Sequence, residues 1–158
     1  MIELPRWLDA VDRELVINIR ALAITLLLLF ASASAAHAGE VQTIAHPSVN
    51  VKQLTKLELR RIFSRKQTLW ENGLPIVVYV LPSKDKLHQR FSKEVLRIFP
   101  YQLDRIWNKL TYSGIGTAPV IVNSYQAMHD AISTTPGAIG YSENMEKGGN
   151  IHVINIKE

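Results

Sequence analysis

The sequence predicts a small α/β domain with a mostly parallel central sheet flanked by about four helices. Along residues 41–156, short apolar segments alternate with segments of helical periodicity, a pattern typical of α/β folds. The strongest strand signal, residues 76–81, is apolar throughout, as in a strand covered on both faces. The chain contains no cysteine, so its core must form without disulfides or thiolate metal sites.

Each predicted helix has a start signal. Thr55, followed three residues later by Glu58, predicts a capping box for a helix over 55–63. Ser83 is the predicted N-cap of the second helix, and Pro100 suits the first turn of the third. Asn123 or Ser124 is predicted to cap the fourth, which should run to residue 133. Residues 112–119 are predicted to form a flexible loop between the third helix and the next strand.

The remaining strands are short and separated by turn signals. They are predicted at residues 41–45, 120–122, 138–141 and 151–156. Gly140 lies inside one of them and indicates that another part of the protein approaches its backbone closely. Residues 135–137 and 147–150 are predicted turns.

The first 38 residues predict a cleavable signal peptide. Arg20 precedes the apolar run 21–30, and a small-residue stretch ends at Ala38, the order that signal peptidase recognises. Residues 1–19 are net acidic, which is unusual for this region, and we interpret residues 1–14 as lying upstream of the true start. Residues 39–158 would then form the exported, periplasmic domain, without a lipid anchor because no cysteine follows the cleavage site.

The charge and motif content narrow the class of function. Residues 39–158 carry 15 basic and 10 acidic side chains, and the excess favours anionic partners in general. No nucleic-acid motif is present, and the four histidines of this region lack metal-ligand spacing. No G-x-S-x-G nucleophile motif is found, so we expect a protein that is not an enzyme and that uses no cofactor or metal.

Two segments could bind a small oxyanion. Backbone N–H groups at a helix start near Ser83 and Lys84 would favour an anion, and Arg90 lies nearby in sequence. The second segment is the loop at 113–117, which combines hydroxyls with glycines and can present backbone N–H groups. Its candidate residues are Ser113, Gly114, Gly116 and Thr117. A plain N-cap serine and an ordinary flexible connection remain the alternatives at these two positions.

The order of these segments resembles a known family. Residues 54–63 (LTKLELRRIF), the turn from Trp70 to Ile76, and the run 136–141 (PGAIGY) are similar to periplasmic phosphate-binding proteins. These are the substrate-binding subunits of phosphate ABC transporters, in the type 2 periplasmic binding protein superfamily. The resemblance implies the fold, phosphate as ligand and an ABC permease as partner.

This sequence departs from the family in two ways that matter for function. Residues 39–158 are too few for the family's two lobes, and the family's Ser-Gly-Thr loop would fall on residues 85–87, which read Asp-Lys-Leu. The resemblance therefore supports the fold more than the ligand. Our first hypothesis is a non-catalytic periplasmic oxyanion-binding domain, linked to phosphate transport. The alternatives are an envelope protein-interaction or sensory module that has lost phosphate binding, and, with less support, a hydrolase.

Overall fold

The computed structural model describes residues 39–114, 116–143 and 150–157. They belong to one compact unit, Gly39–Glu158. The predicted signal peptide and the turn at 147–149 lie outside the described residues and stay predictions. Within the described part of the chain, no helix combines the length and apolar character needed to cross a membrane.

Six strands form a mixed, mostly parallel sheet. They are β1 (Val41–Ala45), β2 (Gln53–Thr55), β3 (Val77–Val80), β4 (Val120–Ile121), β5 (Ala138–Glu143) and β6 (His152–Lys157). Their order across the sheet is β2-β6-β1-β5-β3-β4. The pairs β2–β6, β5–β3 and β3–β4 are parallel, whereas β1 runs antiparallel to both of its neighbours. The predicted fold class is confirmed; β2 was not predicted, because its three residues alternate exposed and buried over too short a length.

Among the residues that the structure describes, four α-helices pack on the sheet. They are α1 (Lys56–Phe63), α2 (Lys86–Arg90), α3 (Pro100–Ser113) and α4 (Tyr125–Thr134), and a π-helical turn (Phe91–Val95) continues α2. The capping box of α1, Pro100 in the first turn of α3 and the Ser124 cap of α4 are confirmed. The predicted loop at 112–119 begins later than expected, because α3 continues to Ser113 and ends at Gly114 in the left-handed conformation, with φ 67°.

One helix start was predicted wrongly. The N-cap of α2 is Asp85 rather than Ser83, and the Asp85 carboxylate accepts from the N–H groups of Leu87 (2.8 Å) and His88 (3.3 Å). The chain makes an extra turn after Pro82, where the Asp85 N–H donates to the Pro82 carbonyl. Serine and aspartate cap helices about equally well, so the sequence offered no way to choose between them.

Helices cover both faces of the sheet around β5. On one face, the Tyr141 ring stacks on Phe91 with centroids 4.1 Å apart, and Phe91 packs against Phe63 at 4.8 Å. On the other face, a Cβ placed on Gly140 would lie 2.7 Å from both Met128 and Ile132 of α4. The predicted close approach at Gly140 is thereby confirmed, and β5 is buried between two helical layers.

The turn before β5 is held by several contacts to Gly137. Its N–H donates to Ser48 Oγ (2.9 Å), and its carbonyl accepts from the indole N–H of Trp70 (3.0 Å). Its φ is +78°, and a Cβ there would stand 2.2 Å from the Pro75 carbonyl oxygen. Only glycine meets both demands, the positive φ and the close approach.

We therefore expect Gly137→Ala to lower the free energy of unfolding by about 3 kcal/mol, since backbone strain and overpacking add. Gly73→Ala is the matched control: its φ is +80°, but nothing lies within 4 Å of the added methyl. It should cost only about 1 kcal/mol. Urea unfolding of both variants checks this, and equal losses would show that steric clash with Pro75 is unimportant.

Candidate functional site

A cavity of about 360 Å³ lies at the carboxyl end of β3, beside β4 and the two residues that precede it. The connection from β3 leads to β4 on one side, and the connection from β5 leads toward β6 on the other side, so the direction of the connections reverses between the neighbouring strands β3 and β5. In open α/β sheets, ligands bind outside the carboxyl ends of strands at such a point. The lining residues are Val80, Leu81, Ser83, Asp104, Trp107, Asn108, Thr111, Ala118, Pro119 and Ile121.

Polar groups enter this cavity from two elements. Ser83 follows β3 and donates its hydroxyl to the Asp104 carboxylate at 2.5 Å. Asp104, Asn108 and Thr111 project from α3 at spacings of four and three residues, which places them on one face of the helix. The cavity thus presents two hydroxyls, one amide and one carboxylate, and none of the described residues that line it is a lysine or arginine.

The predicted site residues are only partly brought together. Ser83 lines the cavity, whereas Lys84 is exposed and does not. Arg90 forms ion pairs with Glu94 (3.2 Å) and Glu143, and it also donates to the Gly39 carbonyl. Its guanidinium therefore holds the start of β1, the end of β5 and the π-helical turn together, away from the cavity residues.

The candidate oxyanion-binding loop at 113–117 borders the cavity, and none of its described residues lines it. Ser113 closes α3 and donates weakly to the Leu110 carbonyl (3.4 Å), and Gly114 is the left-handed cap. Gly116 and Thr117 are exposed; the next residue, Ala118, lines the cavity. Arg65 fixes this segment by donating Nε to the Thr117 carbonyl at 2.9 Å.

Sequence reasoning missed the three polar residues of α3. Their signal was available, because positions 104, 108 and 111 fall on one helical face between the apolar positions 103, 106, 107 and 110. A polar stripe beside an apolar one is, however, also what any exposed helix face shows. Only the packing of α3 across the end of β3 shows that this stripe meets Ser83.

Buried beside the cavity is a hydrogen-bonded pair, Tyr141 and His88. The Tyr141 hydroxyl accepts from the Leu81 N–H (2.8 Å) and lies 2.6 Å from His88 Nδ1, while His88 Nε2 is 3.4 Å from Ser92 Oγ. Burial raises the pKa of Tyr141 well above its ordinary value. Burial also lowers the pKa of His88, partly opposed by Asp104 and Asp85.

Among the described histidines, none is bonded to Ser83. His88 is committed to Tyr141 and Ser92, and Ser83 is bonded to a carboxylate instead of an imidazole. The described residues also contain no group of three or more side chains suited to a metal ion. This arrangement can bind a ligand through hydrogen bonds, and among the described residues Ser83 has no imidazole partner.

Comparison with known proteins places the fold. No protein-family model matches the chain. No curated protein matches it either. Among solved structures, a phosphate ABC transporter substrate-binding protein with bound phosphate from Clostridium perfringens superposes with a TM-score of 0.60 at 19% identity. An ABC-type phosphate transport receptor from Vibrio cholerae (0.55, 15%) and PstS from Borrelia burgdorferi (0.55, 17%) are also similar.

These superpositions cover 75% of this chain and 45–47% of the other three. The chain therefore has the fold of phosphate-binding proteins of ABC transporters over somewhat less than half their length. The structures that it resembles are binding proteins rather than enzymes. The resemblance inferred from residues 54–63 and 136–141 is confirmed at the level of the fold.

The lowered pKa of His88 should make the free energy of unfolding depend on pH. The unfolded chain takes up a proton near pH 6.5, the ordinary pKa, while the folded protein resists it. The stabilisation is therefore complete above pH 6.5 and falls as the pH drops below it, by at most about 1.4 kcal/mol per pH unit. Urea unfolding between about pH 7.5 and pH 5 measures this decline.

His88→Gln should be less stable at neutral pH, because the Tyr141 hydroxyl changes partner. Its stability should nevertheless decline less steeply on acidification. His129→Gln, on the outer part of α4, is the control and should keep the wild-type slope. If the free energy of unfolding falls equally with pH in wild type and His88→Gln, His88 is not the source of the pH dependence.

Proposed function

We propose that residues 39–158 act as a small non-catalytic binding domain for a protonated oxyanion, hydrogen phosphate being the leading candidate. The observation that carries this proposal is the polar cavity at the carboxyl end of β3, beside β4. It is supported by the fold, which is shared with a protein whose structure holds phosphate. Export through the predicted signal peptide and delivery to an ABC permease complete the hypothesis.

The chemistry of the cavity favours a protonated anion. Asp104 repels a fully ionised oxyanion, but its carboxylate can accept the proton of an acidic P–OH group. The Ser83 hydroxyl, released from Asp104, would then donate to an ionised oxygen of the ligand, together with the Asn108 amide. The Thr111 hydroxyl donates to the Trp107 carbonyl at 3.0 Å and would have to exchange that bond to join them. Sulfate, which carries no proton at neutral pH, would face Asp104 without compensation.

Titration calorimetry at neutral pH tests this with inorganic phosphate and sulfate. We expect heat with phosphate and little with sulfate. Asp104→Asn should reverse the preference, because the amide no longer repels sulfate and can donate to it. Ser83→Ala should weaken phosphate binding by roughly 10- to 100-fold, the range for losing one hydrogen bond to a charged group.

Asp130→Asn and Ser133→Ala are the matched controls, since both residues lie on α4 outside the cavity lining. They should leave binding unchanged. Absence of heat at millimolar phosphate would reject the transport role.

The second candidate is an envelope interaction or sensory module. It is favoured by the absence of a cation among the described residues that line the cavity. It predicts that neither phosphate nor sulfate binds and that a defined partner protein protects the residues around the cavity from hydrogen exchange.

A further inference from the structure

We propose that a surface formed by the π-helical turn and the first half of α3 docks onto an anionic lipid bilayer. This aromatic–basic face consists of Lys93, Arg97, Phe99, Tyr101 and Arg105, all of them exposed. The proposal is independent of the oxyanion cavity, because none of these residues lines it.

The face is continuous. Lys93, Arg97 and Phe99, together with Ile98, surround a cavity of about 280 Å³. The Phe99 ring stacks on Tyr101 with centroids 5.9 Å apart, and Arg105 follows Tyr101 by four residues on the same face of α3.

Two large aromatic rings stand unusually far out of this face. Phe99 is 56% exposed and Tyr101 60% exposed. Their only ring contact in the described structure is with each other, so folding of this unit leaves most of their apolar surface in water. Exposed apolar patches rimmed by polar groups mark interaction sites, and aromatic rings of this kind settle at the headgroup level of bilayers.

The charges around the rings are uncompensated. Within the described part of the chain, Lys93, Arg97 and Arg105 form no ion pair. The neighbouring carboxylates are engaged elsewhere, Glu94 by Arg90 and Asp104 by Ser83. Three free cations around two protruding rings complement a negatively charged interface.

A bilayer suits this face better than an acidic protein segment. The cations extend over three segments: Lys93 and Arg97 flank the cavity beside Phe99, and Arg105 lies one helical turn beyond Tyr101. A diffuse layer of headgroup phosphates matches such a distribution, whereas a single carboxylate needs converging donors. Each Lys or Arg near an anionic membrane strengthens binding by about fivefold.

The test measures co-sedimentation with vesicles of phosphatidylcholine alone and of an equal mixture with phosphatidylglycerol. The apolar run 21–30 would itself contact lipid. The readout for the full chain is therefore the ratio of binding to anionic and neutral vesicles, since that run is common to all variants. We expect a ratio well above one that falls as salt is raised.

Two substitutions can weaken the face without threatening the fold. Arg97 has a φ of 54°, in the left-handed region, so Arg97→Gly removes the charge while relieving the backbone. Phe99 is the N-cap of α3, where serine is a preferred residue, so Phe99→Ser removes a ring and keeps a cap. We expect the ratio to fall about fivefold for Arg97→Gly and by a similar factor or more for Phe99→Ser.

The controls carry the same chemistry elsewhere. Lys52→Gly removes an exposed cation next to β2, at the opposite edge of the sheet from β4. Tyr112→Ser removes an 88% exposed ring at the far end of α3. Both should retain the wild-type ratio. A ratio of one for the wild type, equal losses in controls and face variants, or binding to polyglutamate but not to anionic vesicles would each overturn the proposal.

Discussion

The Tyr141 side chain connects strand β3, strand β5 and the α2 segment and fixes their relative positions. Its hydroxyl accepts from the Leu81 N–H at the end of β3, pairs with His88 of α2, and belongs to a ring that stacks on Phe91 of the π-helical turn. Strand β3, strand β5 and the α2 segment are therefore fixed through one buried group. Because Ser83 lies two residues beyond Leu81, this constraint also fixes the position of the Ser83 hydroxyl in the candidate cavity. A buried polar group of this kind is stabilising only while every partner is present.

The π-helical turn shows how the same core shapes the outer surface. Phe91 and Ser92 are buried at the start of the turn, and Arg97 has a left-handed conformation two residues after the turn ends at Val95. Arg60 of α1 donates Nε to the Leu96 carbonyl at 2.5 Å and satisfies a carbonyl at this helix end. The bend then directs Phe99 and Tyr101 outward. The exposed aromatic pair is thus a consequence of how the buried segment before it terminates.

The sequence predicted the parts of the structure that depend on local pattern. Thr55 with Glu58, Pro100, and the apolar run 76–81 each specify their element through nearest neighbours, and all three are confirmed. The cap at Asp85 was not predictable in this way, because Ser83 satisfies the same local rule. The left-handed conformation of Arg97 was not predictable either, because tertiary contacts determine it. The cavity belongs to the second kind: Ser83 was singled out from its position, but Asp104, Asn108 and Thr111 became candidates only once α3 was placed against β3.

The candidate cavity and the aromatic–basic face differ in charge. The chain is basic, yet the described lining of the cavity holds a carboxylate and neutral dipoles, and the free cations of the π-helical turn and α3 face outward. If the proposed function holds, Asp104 is the element that disfavours an anion without a proton, because specificity is a difference between affinities. His88 could transmit acidification to such a cavity, because its ring packs 5.9 Å from that of Trp107, which lines it. A protonated His88 ring has no acceptor nitrogen, so its hydrogen bond with the Tyr141 hydroxyl would have to rearrange beside Leu81, two residues before Ser83. Fold stability would then decline below the ordinary pKa of histidine, whereas ligand affinity would decline only below the lowered pKa that His88 has in the folded protein.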